Sequence, residues 1–524
     1  MTMFFSLWGR RIAAFLERHL WLIVIPAVVL LAYVIVDYSP LIIRWDDAYF
    51  IRNTLCVRDA VYGGGGKALG GCLSHIWKSP IMAFLGIPWG MASTPDIIVQ
   101  TSFVALSVAT FAVAIACFII LLRIGVNLFM LLLALLFLAL NEYLREQRGV
   151  YLADGMFSFI VTLALLLIPL ELKSPALGKA NSVMRGCLWG AVITLGVLSK
   201  ITFGFFIALI APVLLYQRWK NAGRQSTCVT LVASFVVMLP ALAIYALFGK
   251  IYFSYGVQCS FGSVAKLYTV DGMGAKEYVL QYIHYISFHH ALRILALLSL
   301  AALWAYTRKP RPSWLFLYPL LILLGYLGIA ATSSNRDFRF AMPLMIALPL
   351  LLAAITANMP RYGKRLTVPA LVALLLGVLI SAPMMMRPDM HMVQKARMIL
   401  TQLTDKDNRP VSVLMATDVA DFNSETLQLA RQMETPKLQS IEIGMLGYDD
   451  VSGKTLAQSL ARIDAADYIL FKTNPKDSPD WANPSWSNRF VPEFREHCAK
   501  VGKKIDADPA DEVEVYHILR SKPR

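Results

Sequence analysis

Two adjacent carboxylates, Asp46 and Asp47, are the first residues whose type and spacing could carry out chemistry. Neighbouring carboxylates repel each other, which raises the pKa of one of them and suits a general base that accepts the proton of a hydroxyl. Consecutive residues of a helix point about 100° apart, so we expect only one of the pair to face a cleft. A role of the pair in capping the start of a helix is the alternative, and the sequence leaves it open.

A second group of charges lies between two apolar segments and consists of Glu142, Arg145, Glu146, Arg148 and Asp154. Asp154 directly precedes an apolar stretch, where an unpaired charge is costly in a membrane, and we predict a functional role for it. It could instead complement the positive end of the helix that follows. Arg148 is a candidate to bind phosphate, whereas surface ion pairs would also explain the first four residues of the group.

Arg336 and Arg339 form the third group, within residues 333–340. Arginine keeps its charge and bonds phosphate with two N–H groups, so the pair could hold the phosphate of a lipid at the membrane surface. Extension of both side chains toward lipid headgroups, without a specific ligand, is the alternative. Further basic candidates are Lys200, His75 and Lys78.

Membrane-spanning helices are the elements that must position these residues. Of the 524 residues, 57% are hydrophobic and 16% are charged, and the mean hydropathy is +0.57, which is far from the usage of soluble proteins. A span needs about 20 apolar residues. Eleven stretches qualify, of which the third, fifth and sixth are short or run together: 20–37, 97–122, 127–141, 155–172, 184–199, 201–217, 227–248, 289–307, 314–332, 340–358 and 367–386.

The lysines and arginines of the short loops predict the orientation of these spans. Cytoplasmic loops are rich in Lys and Arg, and every inner loop is basic when the N-terminus is cytoplasmic. The segments 38–96 and 249–288 and the C-terminal residues 388–524 then lie outside, with all three charged groups. Orientation therefore explains the net charge of +15, and nucleic acid binding is not indicated. The first span lacks a small-residue cleavage site, so we interpret it as an uncleaved anchor.

Cys56 and Cys72 share the first outer loop, on either side of a run of four glycines at 63–66. An oxidising compartment would permit a disulfide between them, and two free cysteines remain the alternative. Cys259 and Cys498 are other outer cysteines that could pair. The seven cysteines show none of the spacings typical of zinc sites.

Residues 388–524 have the composition of a globular domain, and their pattern predicts a small α/β fold. We found no phosphate-binding glycine loop and no nucleophile elbow there. Asp418 and Asp421 follow the first predicted strand, where helix capping is the favoured role. The predicted strands are Val411–Met415, Ile441–Met445, Tyr468–Phe471 and Val513–Ile518, and the predicted helices cover 424–433, 454–464 and 489–501.

Several short motifs resemble those of the GT-C superfamily of membrane glycosyltransferases, in the same order along residues 20–386. Asp46-Asp47-Ala48-Tyr49 resembles the acidic motif of the first outer loop, and Asp154-Gly155 resembles a second acidic position. The other similar stretches are Ser79-Pro80-Ile81-Met82, Leu198-Ser199-Lys200 with Gly204, and Arg339-Phe340-Ala341-Met342-Pro343. Phe340 departs from the pattern, since the superfamily usually has a tyrosine there.

The apolar stretches and the C-terminal pattern together predict a polytopic α-helical protein, GT-C-like, with about eleven transmembrane helices in residues 1–387 and an extracytoplasmic α/β domain in 388–524. The resemblance implies a bacterial inner-membrane enzyme that transfers a sugar, with inversion, from a polyprenyl-phosphate carrier to a hydroxyl of a cell-envelope glycan or lipid. Membrane lipids would surround it, and no nucleic acid would take part.

Roles for the candidates follow from this analogy for the first-loop acid and from residue chemistry and position for the others, and Asp154 is a further catalytic candidate. Asp46 or Asp47 would be the base, and Arg336, Arg339, Arg148 and Lys200 would bind the donor phosphate. His75 and Lys78 would contact the acceptor. Arginines or a divalent cation, Mg²⁺ or Mn²⁺ held by Asp47 and Asp154, would stabilise the departing phosphate, which needs no general acid.

Two other classes of function stay open. A secondary transporter or lipid flippase usually shows an internal repeat of broken helices, which we do not find, and carries charges near the middle of the membrane. A noncatalytic envelope assembly protein would use the C-terminal domain for binding. Substitution of the acidic pair by asparagine should stop an enzyme and leave an assembly protein working.

Overall fold

The structure of the protein is a computed structural model. It describes residues 41–42, 45–85, 95–126, 128–141, 153–173, 178–262, 265, 274–287, 299, 314–333, 335, 338–358, 388–404, 409–417, 419, 422–433, 438, 440–446, 455–473, 490–508, 510 and 512–519. The predicted spans 20–37 and 367–386 lie outside these residues, as does 289–307 apart from residue 299.

The first outer loop is largely helical. A short strand β1 (Leu41–Ile42) precedes helix α1 (Trp45–Asp59), a wider helical turn (Ala60–Gly64), α2 (Gly65–His75) and α3 (Pro80–Leu85). Cys56 of α1 and Cys72 of α2 form a disulfide with a Cα–Cα distance of 5.8 Å, while Cys259 and Cys498 are free thiols. The disulfide holds α2 against the helix that carries Asp46.

Apolar helices make up most of the following chain, because a helix satisfies its own backbone polar groups within the bilayer. They are α4 (Pro95–Ile124), α5 (Leu128–Leu140), α6 (Asp154–Lys173), α7 (Lys179–Ser199), α8 (Phe203–Phe261), α9 (Ala275–Ser287), α10 (Tyr318–Thr332) and α11 (Met342–Ile355). Among the described residues, four helices, α4, α6, α7 and α8, are long and apolar enough to cross a membrane. Helix α6 is the most enclosed of the four.

Helix α8 corrects two predicted boundaries. The spans predicted at 201–217 and 227–248 belong to one helical segment with a break at Gly223, where φ is 77°. Glycine is suited to this left-handed conformation because it has no Cβ. The helix also continues to Phe261, so 249–261 is not a loop, and α9 occupies most of 275–288. Hydropathy did not predict this extension because helix formation continues where the apolar run stops.

Helices α7 and α8 approach each other closely through small residues. A Cβ on Gly186 would come within 2.4 Å of the carbonyl oxygen of Thr230, and one on Gly190 within 2.5 Å of that of Ser234. The hydroxyl of Thr230 donates to the carbonyl of Ser182 (3.1 Å), and that of Ser234 to the carbonyl of Gly186 (2.9 Å). Such small-residue contacts and hydroxyl bonds are typical of helix association in membranes. They hold the first half of α7 against α8.

The C-terminal region contains a five-stranded sheet with helices, as its sequence pattern predicted. Its elements are β2 (Pro388–Asp389), α12 (His391–Leu403), β3 (Val411–Met415), α13 (Ser424–Gln432), β4 (Ile441–Met445), α14 (Leu456–Ala465), β5 (Tyr468–Lys472), α15 (Val491–Val501), β6 (Gly502–Ile505) and β7 (Val513–Ile518). The strand order is β4-β3-β5-β7-β6, with β4, β3 and β5 parallel and the last two pairings antiparallel. Asp418 and Asp421 lie outside the described residues.

Candidate functional site

A cavity of about 130 Å³ opens where the first turn of α1, the start of α6, the α7–α8 junction and the end of α8 meet. A short 3₁₀ turn before α11, Phe338–Ala341, completes its wall. Five charged residues line it: Asp46, Lys78, Asp154, Lys200 and Arg339. Segments far apart in the sequence thus bring two carboxylates and three cations together.

Both carboxylate oxygens of Asp46 face a cation. The Lys78 Nζ lies 2.5 Å from Oδ1, and the Arg339 Nη1 lies 3.3 Å from Oδ2. Burial by itself would raise the pKa of Asp46, but the charges and hydrogen bonds of Lys78 and Arg339 outweigh it and lower the pKa from 3.8 to about 2. The raised pKa expected for one of the acidic pair is therefore wrong for Asp46. Two cations from distant parts of the sequence, Lys78 and Arg339, lie against its carboxylate.

Asp47 does not line the cavity. Helix α1 begins at Trp45, so both carboxylates lie in its first turn, where negative charge also complements the positive helix end. The side chain of Asp47 is fully buried and does not line the cavity, whereas that of Asp46 does and is 23% exposed. One carboxylate of the pair thus faces the cavity, and it is Asp46.

Asp154 and Lys200 form a second ion pair in the cavity wall, in which the ammonium group donates to Oδ1 of the carboxylate. Asp154 is the first residue of α6, and Lys200 connects α7 to α8. The connection is tight, because a Cβ on Gly196 would meet the ring of Phe203 at 2.3 Å. The Lys200 Nζ also lies 4.9 Å from the centre of the Phe340 ring, a cation–π distance.

Aromatic rings hold Lys78 in place. Its Nζ lies 5.5 Å from the ring centre of Tyr49, 5.1 Å from that of Trp77 and 5.8 Å from that of Tyr255. The Tyr49 hydroxyl accepts the backbone N–H of Trp77 (2.9 Å) and of Lys78 (3.4 Å). Burial raises the pKa of Tyr49, so the hydroxyl stays neutral. These rings are part of the site, and sequence reasoning gave them no role.

The backbone of the same loop takes an unusual conformation at Ser79, which precedes Pro80. Its φ of 35° is positive, and Ser79 is the one non-glycine residue with positive φ among those the structure describes. Such conformations persist where the surrounding structure enforces them, and they cluster at functional sites. The Tyr49 hydroxyl and the following helix α3 therefore hold the Lys78 loop in a defined shape.

The remaining predicted site residues do not join the cavity or cannot be placed. His75 is exposed at the end of α2 and does not line the cavity, so its contact with an acceptor stays a prediction. Arg336 and Arg148 lie outside the described residues, as do Glu142, Arg145 and Glu146.

The lining residues do not fit a divalent cation. Mg²⁺ and Mn²⁺ favour several oxygen ligands. Of the two proposed ligands, Asp47 does not line the cavity, and both lining carboxylates are bonded by lysines. In the part of the chain that the structure describes, no three His, Cys, Asp or Glu residues cluster in a way that could hold a metal.

A second cavity of about 160 Å³ adjoins the first, and its lining is mainly apolar. The two cavities share Thr202, Cys259, Ser260, Asn335 and Phe340. Phe205, Tyr326 and Ile329 contribute apolar surface to the second alone. A charged chamber thus lies directly beside an apolar one.

No protein-family model and no curated protein matches this chain. Among solved structures, the chain is similar to the crystal structure of ArnT from Cupriavidus metallidurans bound to undecaprenyl phosphate, with a TM-score of 0.55. The similarity covers 97% of this chain and 100% of that chain at 12% sequence identity. At that identity the comparison bears on the fold alone. It confirms the expected helical membrane fold in outline, and the number of spans stays a prediction: the chain has an ArnT-like fold over nearly its whole length.

Proposed function

We propose that the protein is an inverting glycosyltransferase that moves a sugar from a polyprenyl-phosphate carrier to a hydroxyl of a cell-envelope glycan or lipid. The observation that carries this proposal is the cavity in which Asp46 and Asp154 meet three cations. Transfer from a phosphate needs a base for the incoming hydroxyl and positive charge for the departing phosphate. The ArnT structure of similar fold holds undecaprenyl phosphate, a carrier of the proposed type.

Lys78, Lys200 and Arg339 are the proposed ligands of the donor phosphate. Three cations against two carboxylates leave the cavity wall with an excess of positive charge, which attracts an anion. The adjoining apolar cavity suits the first carbons of a polyprenyl chain, because burial of apolar surface is favourable. A ligand that is anionic at one end and apolar at the other would fill both cavities.

The proposed reaction uses Asp46 as the general base. Its carboxylate takes the proton of the acceptor hydroxyl while the hydroxyl oxygen attacks the anomeric carbon from the face opposite the phosphate. The bond between that carbon and the phosphate oxygen breaks, and its electron pair leaves with the polyprenyl phosphate. Lys78 and Arg339 stabilise the added negative charge, so no general acid and no metal is needed. Asp154, held by Lys200, orients the sugar.

Donor binding would also prepare the base. The phosphate competes with Asp46 for Lys78 and Arg339, which now occupy both carboxylate oxygens. Burial raises the pKa of Asp46, and the two cations lower it. When these cations turn toward the phosphate, their effect weakens and the pKa of Asp46 rises. Asp46 is then a stronger proton acceptor with donor bound than without it.

The outer face of a bacterial inner membrane is the proposed location, with the N-terminus in the cytoplasm and residues 388–524 outside. The basic short loops predict this orientation. The Cys56–Cys72 disulfide lies on the helix that bears Asp46, and disulfides persist in oxidising compartments, which supports placing the site outside the cytoplasm.

A transfer assay tests the proposal. The purified protein in lipid nanodiscs is incubated with a panel of polyprenyl-phosphate sugars and extracted envelope lipids, and mass spectrometry detects glycosylated product. We expect transfer from at least one donor, with release of polyprenyl phosphate in equal amount. Lack of turnover with every donor would favour a transporter or an assembly protein instead.

A second experiment measures donor binding without turnover. Cys259 lines both cavities, whereas Cys187 is exposed elsewhere on the chain. Undecaprenyl phosphate should slow alkylation of Cys259 by a small maleimide and leave that of Cys187 unchanged, as measured by peptide mass spectrometry. Equal protection of both cysteines would indicate a nonspecific lipid effect.

A further inference from the structure

We propose that Glu425 of the C-terminal domain is a positioning residue for Asp46, and that it acts through Arg52. This inference rests on the proposed function and deepens it, because it makes the C-terminal domain part of the transferase site. The contacts that carry it lie between α13 and α1, at some distance from the cavity.

Helix α13 is fastened to α1 at both of its ends. In its first turn, the Glu425 Oε2 lies 3.2 Å from the Arg52 Nη2. At its last residue, Gln432 meets α1 with its amide assigned from the hydrogen-bonding groups that face it. In that orientation the amide nitrogen donates to the Arg52 carbonyl (3.2 Å) and the amide oxygen accepts from the Cys56 N–H (3.1 Å). Glu425 and Gln432 of α13 therefore both contact Arg52 of α1, the helix on which the candidate base lies.

A short parallel ladder adds a second connection between the same two parts of the chain. Leu41 pairs with Pro388 and Ile42 with Asp389. Strand β1 shortly precedes α1, and strand β2 shortly precedes α12, the first helix of the C-terminal region. The pairing of β1 with β2 therefore links the segment before α1 to the start of the C-terminal region.

A continuous series of contacts leads from Glu425 to Asp46. The Arg52 guanidinium lies 5.6 Å from the centre of the Tyr49 ring. The Tyr49 hydroxyl accepts the backbone N–H groups of the Lys78 loop, and the Lys78 ammonium bonds Asp46 at 2.5 Å. Asp46, Tyr49 and Arg52 are spaced three residues apart on α1, so Tyr49 is a neighbour of both other residues on the helix surface.

The Glu425–Arg52 pair is mostly shielded from water, with side-chain exposures of 22% and 19%. Removing one partner of a shielded pair leaves the other charge uncompensated. With a neutral residue at 425, the Arg52 guanidinium would have no fixed partner on α13 and would leave its position over Tyr49. Small displacements of groups that position a reacting atom lower the rate by up to about 100-fold.

Four variants test this role: Glu425→Gln, Arg52→Gln, the double variant of both, and the charge exchange Glu425→Arg with Arg52→Glu. We expect each single variant to lower kcat between about 10-fold and 100-fold, with little change in the KM for the donor. The double variant should lose no more than either single one, since both act on one contact. The charge exchange should recover part of kcat.

Glu496→Gln is the matched control, because Glu496 is an exposed glutamate of the same domain that pairs with Lys500 on its own helix. It should retain the kcat of the unaltered protein. The positioning role is overturned if Glu425→Gln also retains kcat, if the two single losses multiply in the double variant, or if the loss in kcat follows only a lowered Tm. Inactivity of the unaltered protein with every donor would instead overturn the proposed function, and this inference with it.

Discussion

An acidic and a basic side chain pair at each end of the antiparallel helices α6 and α7, and the two pairs differ in their surroundings. At one end, Asp154 and Lys200 pair in the wall of a cavity. At the other end, Glu171 lies 3.4 Å from Arg185 and 3.2 Å from Arg218, where Glu171 is 0% exposed and Arg218 is 1% exposed. A carboxylate paired with a cation therefore borders a cavity at one end of the helix pair, the open end, and is buried at the other, the sealed end.

The sealed cluster has the contacts of a structural element. Arg218 also donates to the hydroxyls of Ser182 (2.9 Å) and Ser226 (2.8 Å), which lie on α7 and on α8 beyond the break at Gly223. The cluster thus connects α6, α7 and both sides of the break. Buried charges with this many hydrogen bonds fix a single arrangement, whereas charges beside a cavity can exchange one partner for a substrate. The Glu171 end therefore has the contacts of a structural cluster, and the Asp154 end borders the proposed active site.

The largest expected effect is that of Asp46→Asn on catalysis. Loss of a general base lowers the rate by about 10²-fold to 10⁴-fold, so we expect kcat to fall by at least about 100-fold in the transfer assay. The amide keeps the size of the carboxylate, and the protein should still fold and insert.

Asp59→Asn provides the control for that loss, because Asp59 lies at the far end of α1 with its side chain 56% exposed. It should keep full activity. Comparable activity of Asp46→Asn and Asp59→Asn would remove Asp46 from the reaction.

Glu171→Gln should have the opposite profile, a loss of stability without a specific loss of rate. Neutralising one member of a buried ion pair costs about 3–5 kcal/mol, and here two arginines would lose their shared carboxylate. Thermal unfolding in detergent should show a clearly lower Tm, while kcat per folded molecule is retained. Asp154→Asn is the matched variant at the open end of α6. For it we expect a clear loss of kcat with a smaller decrease of Tm than in Glu171→Gln.

Loss of the Cys56–Cys72 disulfide should have an intermediate effect: a lower overall stability, and a change of native contacts near the cavity alone. A crosslink that closes a loop of about 15 residues stabilises by about 3 kcal/mol through the unfolded state. The double variant Cys56→Ser, Cys72→Ser should therefore unfold at a lower temperature and lose activity, because the disulfide ties α2 to α1. The Glu171 cluster should be unaffected, which hydrogen exchange of the amides in α6 and α7 can measure.

Much of the fold follows from patterns within single segments, whereas the site depends on contacts between them. Apolar runs predicted the helices, and alternation predicted four of the strands, but not β6, whose sequence Gly-Lys-Lys-Ile is short and basic, as suits an edge strand. The sequence indicated that one of the two first-loop acids faces the cavity. It could not indicate which one, because that depends on where α1 begins and on what packs against it.

The direction of the Asp46 pKa shift illustrates the same limit. The adjacent Asp47 suggested a raised pKa, since neighbours in sequence were the charges that could be seen. Lys78 and Arg339 are 32 and 293 residues away and still supply the charges that lie nearest to the carboxylate. Electrostatics at a site assembled from distant segments cannot be calculated before the fold is known. The grip of α13 on α1 was unpredictable for the same reason.

The smallest expected effect is a difference between two pH profiles. A lowered pKa means that the folded protein favours ionised Asp46, so its ion pairs stabilise the fold above pH 3.8 and lose this contribution as the pH falls through about 2. In the free enzyme, Asp46 is therefore ionised throughout the usual assay range. With donor bound, we expect Lys78 and Arg339 to turn to the phosphate and the pKa of Asp46 to rise. The acid limb of kcat should then lie at higher pH than the acid limb of kcat/KM for the donor, since the first reports the complex and the second the free enzyme.

In Lys78→Gln the pKa of Asp46 is less depressed before the donor binds, so the two limbs should approach each other. Coincident limbs in the unaltered protein would mean that the cations of the open end keep their partners during turnover, as those of the sealed end do.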